Sequence, residues 1–321
     1  MNLDALTNES RLLFEVPLRP VQGTRFQPTG FPDVGAADYQ ANGTRMVLVE
    51  SAQSMANRLE EVCWDKATES MQPSLQGLPY VAVNDVAGKL LTTSVLESHR
   101  INSPYILEGG TNVFLETLKS ELDFLESGRV DIQAFAAVLL KYDPNCLLHG
   151  VFLAKKELAG GRLRLPRALS SFIEASDAHV VAAGGVKRDD VDPSGKKLGT
   201  GANDGFGHVP FHRDEYTGDL TVYFNLDLAQ IRGYRLGTAA EKLLISLALY
   251  KVQVFLRDGL RLRTACDLEA AGEIVIKRPE KFSLPSIVEL EEILPGLIRE
   301  CSTQFATPAV TEVVYTPKKK S

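Results

Sequence analysis

The stretch LTVYFNLDL, residues 220–228, alternates apolar and polar side chains at every position. Successive side chains of a β-strand point to opposite faces, so the apolar set from Leu220 to Leu228 lies on one face and the polar set on the other. Such alternation is typical of a sheet with one buried face, and sheets of this kind are usually antiparallel. This stretch therefore predicts an antiparallel sheet.

Helical periodicity is evident elsewhere. Apolar residues from Met55 to Cys63 recur at the spacing of one helix face, and Ser51 before them is a typical N-cap. A longer helix over residues 238–257 is apolar nearly all round, which predicts deep burial, and Thr238 with Glu241 forms a capping-box signature at its start. The chain is therefore predicted to be an α+β protein with helices packed on an antiparallel sheet. Further strands are predicted at residues 12–16, 45–50, 147–153, 179–186 and 273–277, and further helices at residues 112–125, at residues 131–141 and from Pro285, with Pro295 breaking or kinking the last one.

Residues 1–321 are expected to form one domain with insertions. Glycines and prolines are dense in residues 17–43, which predicts a loop insertion. A helical insertion is expected at about residues 100–145, and a glycine-rich polar insertion at about residues 187–218. The tail, residues 316–321 with Lys318 to Lys320, is predicted to be flexible.

Composition favours a globular protein of the cytoplasm without a membrane segment. Hydrophobic residues make up 44% and charged residues 24% of the 321. No apolar run approaches a bilayer span, and no basic patch leads into an apolar stretch as in a signal peptide. The four cysteines form no C-x-x-C pair and are expected to be reduced and buried. The formal net charge of −6 counts against a simple nucleic-acid binder, but residues 155–167 hold five basic residues and one acid.

The junction at residues 50–60 is the first candidate binding segment. A predicted strand ends there and a helix begins, so free backbone N–H groups and the helix dipole form a potential anion site. A capped amphipathic helix with a solvated polar face explains the same residues without any ligand. The side chains that would serve an anion are Ser51, Gln53, Ser54, Asn57 and Arg58.

Two further segments combine basic and hydroxyl side chains. His99 and Arg100 could contact phosphate or stack on a base, although a solvated pair is the simpler interpretation. Alternation would place Arg162 and Arg164 on one face of a short strand, and Pro166 suits the start of a following helix. Arg167, Ser170 and Ser171 would then lie near its N-terminus, although a charged edge strand is the alternative.

A fourth candidate segment, residues 199–218, mixes glycines with aromatic, histidine and arginine side chains. This composition suggests a flexible hairpin that stacks on bases. His208 and His212 are four residues apart, but Pro210 argues against a helix and the glutamate of H-E-x-x-H is missing, so no metal is expected. Its candidate contacts are Phe206, His208, Phe211, His212 and Arg213.

These segments together resemble a known family. The pattern S-x-Q-S-x-A-N-R-L-E within residues 50–60 resembles the signature of the type I-G (formerly I-U) CRISPR backbone protein. Ser98-His99-Arg100, the run from Arg167 to Ser171, and Asp192-Pro193 after Lys187-Arg188 follow in the expected order. The family belongs to the repeat-associated RNA-binding superfamily.

The resemblance implies a palm with a modified RNA-recognition (ferredoxin-like) fold, carrying helical and β-hairpin insertions. Copies would stack head to tail along a guide RNA (crRNA) beside other CRISPR complex subunits, leaving the guide free to pair with target DNA. Residues 187–218 would contain a thumb-like hairpin, at about 199–218, that crosses the RNA. No cofactor and no catalysis are implied, and the contacts should go mostly to the RNA backbone. Lys187 and Arg188 would add charge along the groove.

Two other functions remain open at this stage. Backbone subunits of related type III complexes cut RNA with a loop aspartate, and Asp189, Asp190 and Asp204 lie in suitable loops. No activating base or metal cluster accompanies them in the sequence. A protein-only scaffold is the second alternative, and it predicts no bound RNA.

Overall fold

The computed structural model of the chain describes residues 3–31, 34–108, 113–199 and 201–317. The predicted helix start at Asn112 and the tail from Lys318 to Lys320 lie outside the described residues. The strands are β1 (Arg11–Pro20), β2 (Gly30–Phe31), β3 (Gly35–Ala36), β4 (Asp38–Ala41), β5 (Thr44–Glu50), β6 (Trp64–Asp65), β7 (Ser70–Met71), β8 (Tyr80–Asn84), β9 (Leu90–Thr93), β10 (Val151–Leu153), β11 (Leu163–Leu165), β12 (Leu169–Lys187), β13 (Val209–Asp227), β14 (Arg261–Arg263), β15 (Cys266–Ala270), β16 (Val275–Arg278) and β17 (Val310–Val314). The α-helices are α1 (Ala52–Glu61), α2 (Pro104–Leu107), α3 (Val113–Leu122), α4 (Ile132–Tyr142), α5 (Asn145–His149), α6 (Leu228–Gly233), α7 (Thr238–Asp258) and α8 (Ile287–Cys301).

An eight-stranded sheet organises the fold. Its order is β14-β15-β1-β13-β12-β5-β4, and β16 pairs with β1 beside β15. Within it, β15-β1-β13-β12 takes the order 4-1-3-2 of a ferredoxin-like β-α-β-β-α-β unit, and every neighbouring pair is antiparallel. Helix α1 lies between the first and second of these strands in the chain, and α7 between the third and fourth. The predicted α+β class with an antiparallel sheet is confirmed.

The alternating stretch at residues 220–228 packs as predicted. Leu220, Val222, Phe224 and Leu226 of β13 are all buried, and Phe14 of β1 stacks on the Phe224 ring at 4.9 Å. Helix α7 is buried along most of its length, as its all-round apolar sequence predicts. The four cysteines are free and buried, which confirms the expected thiols.

The longest element is a hairpin formed by the 19-residue strands β12 and β13. Their pairing runs from Leu169↔Leu226 in the sheet to Lys187↔Val209 at the far end, with one register shift between Ser176 and His179. Beyond the shift, residues 179–187 and 209–217 form an arm that carries the loop at residues 188–208. The arm starts earlier in the chain than the predicted insertion at residues 187–218, because the strand predicted at residues 179–186 is its outgoing half.

Several local predictions are wrong. Residues 145–149 form helix α5 rather than a strand, and the chain turns at Gly150 with φ 77° before the short strand β10. A short apolar run such as Leu147-Leu148 fits a buried helix as well as a strand, so periodicity alone could not decide. No helix follows Pro166, because Leu169 begins β12. The predicted loop insertion at residues 17–43 contains the end of β1, the short strands β2 and β3, and β4, which pairs with β5.

Two predictions about helix ends are also corrected. Gly237, not Thr238, is the N-cap of α7, and no side chain caps that helix. A capping box does occur in α8, where Ser286 and Glu289 bond reciprocally to each other's backbone N–H groups. Helix α8 continues past Pro295 to Cys301, with Leu294 and Ile298 buried on either side of the proline. Burial of this apolar face offsets the hydrogen bond that proline removes.

Candidate nucleic-acid interface

The N-terminus of α1 is arranged around a carboxylate of the chain itself. Ser51 caps the helix by accepting from the Ser54 backbone N–H at 3.3 Å, as predicted. The hydroxyl of Ser54 donates to Glu50, a residue only 1% exposed, and Arg58 Nε donates to the same Glu50 oxygen at 3.0 Å. Two of the side chains predicted to bind an external anion, Ser54 and Arg58, therefore bind the Glu50 carboxylate instead.

Two arginines share that carboxylate. Arg263 pairs with Glu50 Oε2, while Arg58 also donates to the Leu262 carbonyl at 2.7 Å. The side chains of Arg58 and Arg263 are 23% and 24% exposed, so two guanidiniums share one carboxylate at a partly open edge. Arg58 lines a separate cavity of about 300 Å³ with Lys66 and Arg261. Removing Arg58 would disturb the buried Glu50 as well as the surface charge.

Arg100 lies inside the protein, which departs from the prediction that it adds charge to an open groove. It is 4% exposed, and its guanidinium forms a bidentate pair with Glu60 at 2.6 and 2.7 Å. A third bond runs from Nη1 to the Gly150 carbonyl at 3.0 Å. Burial acts to lower the pKa of Arg100, but the Glu60 carboxylate outweighs burial and raises it. Arg100 therefore joins α1 to the turn before β10.

A second buried cation completes this polar cluster. Lys251 of α7 is fully buried, donates to the Asn145 side chain and lies 2.9 Å from Nε2 of His149. Burial and the neighbouring Lys251 lower the pKa of His149 well below its ordinary value, so the ring is neutral. Asp143, also buried, accepts from Asn145 at 2.8 Å. Two carboxyl groups, Glu60 and Asp143, face these two basic groups; burial raises the pKa of both carboxyls, that of Glu60 to about 7, and lowers the pKa of Lys251.

Three of the four predicted segments meet at one cavity beside this cluster. Its volume is about 740 Å³, and the predicted residues on its walls are Gln53, His99, Arg100, Arg164 and Arg167. Arg167 donates through Nη2 to the Gln53 side chain, which links the start of α1 to the segment before β12. Gln53 and Arg167 are more than a hundred positions apart in the sequence, so it is the fold that brings these residues together. This cavity is hereafter called the groove.

The charge of the groove is uniformly positive or neutral. Its described lining includes three arginines and two histidines but no aspartate or glutamate. Arg100 is paired with Glu60, so the positive charge comes from Arg164 and Arg167. The four other cavities described in the molecule each have at least one carboxylate on their walls. Buried Nε of Arg167 has no hydrogen-bond partner among the described residues. An anion with several acceptor oxygens, such as a phosphate, suits this lining.

Phe152 lines the groove and was not singled out by sequence reasoning. It is 53% exposed, on a strand whose flanking residues Val151 and Leu153 are buried. Its cross-strand partner is Arg164 of β11, likewise outward-facing between buried Leu163 and Leu165. In the sequence, Phe152 and Arg164 are each the central residue of a triplet with an apolar residue on either side, which hints at an outward position. Only the pairing of β10 with β11 shows that the two residues are neighbours.

Three further predicted residues stand apart from the groove lining. Arg162 precedes β11 and donates to the carbonyls of Ala159, Gly128 and Leu125, so it joins the helical insertion to the start of β11. It therefore does not share a strand face with Arg164. Ser170 is half-buried on β12 opposite Asn225. Asn57 is half-buried on α1, and its Oδ1 has no partner among the described residues.

The hairpin loop at residues 188–208 is held by its aspartates. Asp189 accepts from the backbone N–H groups of Val191, Asp192 and Gly207, and these bonds lower its pKa. Asp192 accepts from the backbone of Lys197 and Leu198. The ring of His208 accepts from the Asp189 backbone N–H at 3.0 Å. These side chains fold the loop.

Other predicted hairpin residues lie at the surface. Lys187 donates to the Gly205 carbonyl, and Arg188 lies 3.3 Å from Asp190. The remaining side chains are exposed, with Phe206 lying against Gly199 and Arg213 donating to Glu215 at 2.8 Å. Phe211 and Arg213 alternate with His212 along β13, opposite the small residues Gly185, Ala183 and Gly184 of β12.

Within the described residues, no set of three or more histidine, cysteine, aspartate or glutamate side chains is grouped closely enough to bind a metal ion. No helix in the same ranges is both long and apolar enough to cross a lipid bilayer.

Comparison with known proteins gives one family and several distant structural likenesses. A chain of a pre-nicking CRISPR RNA-guided surveillance complex is 15% identical, with a TM-score of 0.41 over 81% of this chain and 74% of that one. A chain of another CRISPR RNA-guided surveillance complex is 11% identical, with a TM-score of 0.36 over 81% and 66%. Csc2 of Thermofilum pendens is 9% identical, with a TM-score of 0.32 over 94% and 79%.

At such identities and TM-scores these likenesses carry no argument about function. No curated protein sequence is significantly similar to the chain. The family described as CRISPR-associated protein GSU0053 matches residues 12–180. This match includes nearly all of β1, helix α1, the groove and the part of β12 that lies in the main sheet, and it ends where the hairpin arm begins. Because it spans more than half of the 321 residues, the chain belongs to the CRISPR-associated GSU0053 family.

Proposed function

We propose that this chain is the backbone subunit of a type I-G CRISPR interference complex. It binds the guide RNA through the sugar-phosphate chain, oligomerises head to tail along it, and positions the guide for pairing with target DNA. Other subunits of the complex are its further partners. Membership of a CRISPR-associated family supports a role in a CRISPR complex, and the arginine-containing groove without carboxylates supports binding to phosphate groups.

The observation that carries this proposal is the carboxylate-free groove. A chain with a formal net charge of −6 repels a polyanion on average, so binding requires a local region of opposite sign. Arg164 and Arg167 supply that region beside His99 and Gln53, while the acidic groups nearby, Glu50 and Glu60, are buried against arginines. Arginine, amide and imidazole donors suit phosphate oxygens of any sequence.

We also propose that the subunit does not cut RNA. The loop aspartates Asp189 and Asp192 are already used as acceptors of backbone N–H groups within the hairpin loop. A catalytic aspartate needs a reacting group within hydrogen-bond reach, and the bonds that these two make are structural. Asp190 and Asp204 are exposed and lie in the same loop.

The test is a salt titration of RNA binding by the purified chain, with Arg164→Ala as the probe. Each phosphate contact on single-stranded RNA contributes about −0.7 to the slope of log K against log salt. Arg164→Ala should weaken binding to all sequences alike and should flatten the slope by about that amount. Arg19→Ala is the matched control, because Arg19 pairs with Glu269 on the sheet and is not part of the groove lining.

A second measurement addresses assembly. If copies line the guide, the mass of the complex measured by mass photometry should rise in equal steps as the RNA is lengthened. A protein-only scaffold would give one mass at all RNA lengths and a preparation free of nucleotide by its 260/280 nm absorbance ratio. An unchanged salt slope in Arg164→Ala would remove the groove from the binding surface.

A further inference from the structure

We propose that the groove holds one unpaired nucleobase of the guide RNA, stacked on Phe152 with Arg164 beside it. The inference rests on the proposed RNA-binding function and deepens it. It changes the expected contact at this point from backbone alone to backbone plus base. It also gives a role to a residue that neither charge nor motif singled out.

The two-stranded ribbon β10–β11 presents only two side chains outward at its centre. Val151, Leu153, Leu163 and Leu165 point into the core, so Phe152 and Arg164 form the opposite face. They are direct cross-strand partners, which places their Cβ atoms about 4.5–5.5 Å apart. An aromatic ring and a guanidinium plane are the two kinds of side chain on which unstacked RNA bases rest.

The surroundings of this pair fit a nucleotide. The groove volume of about 740 Å³ falls inside the range of about 300–1,000 Å³ for small-ligand sites. Its polar wall offers the buried Arg167 Nε, which has no partner among the described residues. A second buried nitrogen without a described partner, Nδ1 of His149, belongs to another residue of the same lining.

The proton on His149 follows from its neighbour. Lys251 lies 2.9 Å from Nε2, and when the amino group donates to that nitrogen the proton of the neutral ring lies on Nδ1. His149 and Arg167 then both offer an N–H that needs an acceptor. Both nitrogens are themselves buried, so a phosphate or ribose oxygen next to the stacked base would accept from them once these side chains turn toward the groove.

The test compares normal and abasic RNA of equal length, bound by the full chain and by Phe152→Ala. Stacking predicts that Phe152→Ala binds normal RNA about 5- to 150-fold more weakly, while its affinity for abasic RNA stays at the wild-type value. Phe152→Tyr should keep most of the affinity, because the ring is retained. Phe124→Ala is the matched control, since Phe124 is 55% exposed and is not part of the groove lining.

The outcomes separate this inference from the function on which it rests. Equal losses on normal and abasic RNA, or no loss on either, would overturn stacking while leaving RNA binding intact. If the wild-type chain failed to bind either RNA, the proposed function itself would be wrong. The same pair of oligomers made as DNA locates the base, because a loss confined to single-stranded DNA would overturn the assignment to the guide strand.

Discussion

Arg100→Ala should act on stability and not on RNA affinity measured per folded molecule. The guanidinium makes two charged bonds to Glu60 and one to the Gly150 carbonyl, and the residue is 4% exposed. Alanine would leave the Glu60 carboxylate buried without its partner. Burial raises the pKa of Glu60 to about 7 even beside Arg100, so without that guanidinium the carboxyl group would take up a proton near neutral pH.

The size of the effect follows from these contacts. Removing one member of a buried ion pair costs about 3–5 kcal/mol, and the lost bond to the Gly150 carbonyl adds about 1 kcal/mol. A total of roughly 4–6 kcal/mol is a large part of the 5–15 kcal/mol by which natural domains are stable. With an unfolding entropy of about 2.1 cal/mol/K per residue, a chain of 321 residues shifts its melting temperature by about 1.5 °C per kcal/mol, so the midpoint should fall by roughly 6–9 °C.

The assay is thermal and urea unfolding of Arg100→Ala beside the double variant Glu60→Leu/Arg100→Met. Replacing both charges by apolar groups keeps the remaining Asp143 and Lys251 balanced, so the double variant should recover most of the lost stability. Arg164→Ala, at an exposed position, should unfold like the wild type. An Arg100→Ala protein with wild-type stability and weakened RNA binding would refute the reasoning and return Arg100 to the binding surface.

Three more predictions concern other parts of the molecule. Asp189→Ala should speed amide hydrogen exchange at Val191, Asp192 and Gly207 without changing the global melting temperature, whereas a ribonuclease role would instead appear as lost cleavage of complementary RNA. Ser286→Ala should lower stability by about 1 kcal/mol because it removes the capping box of α8, while Thr238→Ala, whose side chain caps nothing, should leave the unfolding midpoint in place. Folding lowers the pKa of the buried, neutral His149, so its contribution to stability is present above about pH 6.5 and is lost as the pH falls below that value. Relative to His149→Gln, the free energy of unfolding of the wild type should then fall by up to about 1.4 kcal/mol per pH unit. Parallel curves of stability against pH for the two proteins would contradict this.

Regular elements were predictable because their signals are local. The alternation at residues 220–228 and the helical spacing after Ser51 both reflect side chains that face one buried layer. The wrong strand at residues 147–153 shows the limit of such signals. Leu147 and Leu148 are buried in either conformation, and the turn that decides between them depends on Gly150, whose carbonyl is held by the distant Arg100.

The sequence indicated which segments contribute to the candidate site, but not which of their side chains line it. Sequence spacing gave Gln53, His99, Arg164 and Arg167, which the fold brings to one groove. It could not separate these from Arg100 and Arg162, because an arginine looks the same in sequence whether it faces solvent or an internal acceptor. The partners that decide are distant in the sequence: Glu60 lies 40 positions from Arg100, and the Leu125 carbonyl lies 37 positions from Arg162.

The same pairing explains how an acidic chain can offer a basic surface. Glu50 lies just before α1 and Glu60 lies in its last turn, and an unpaired charge at either would weaken the positive field of the groove. Each is instead about 1% exposed and neutralised by arginine, and Glu50 is shared by two of them. The charge of each paired carboxylate is cancelled at short range by its arginine. No aspartate or glutamate lies in the groove lining beside the exposed Arg164, so its charge would attract an approaching phosphate. Local pairing, rather than the net charge of −6, therefore sets the sign of the surface that RNA would meet.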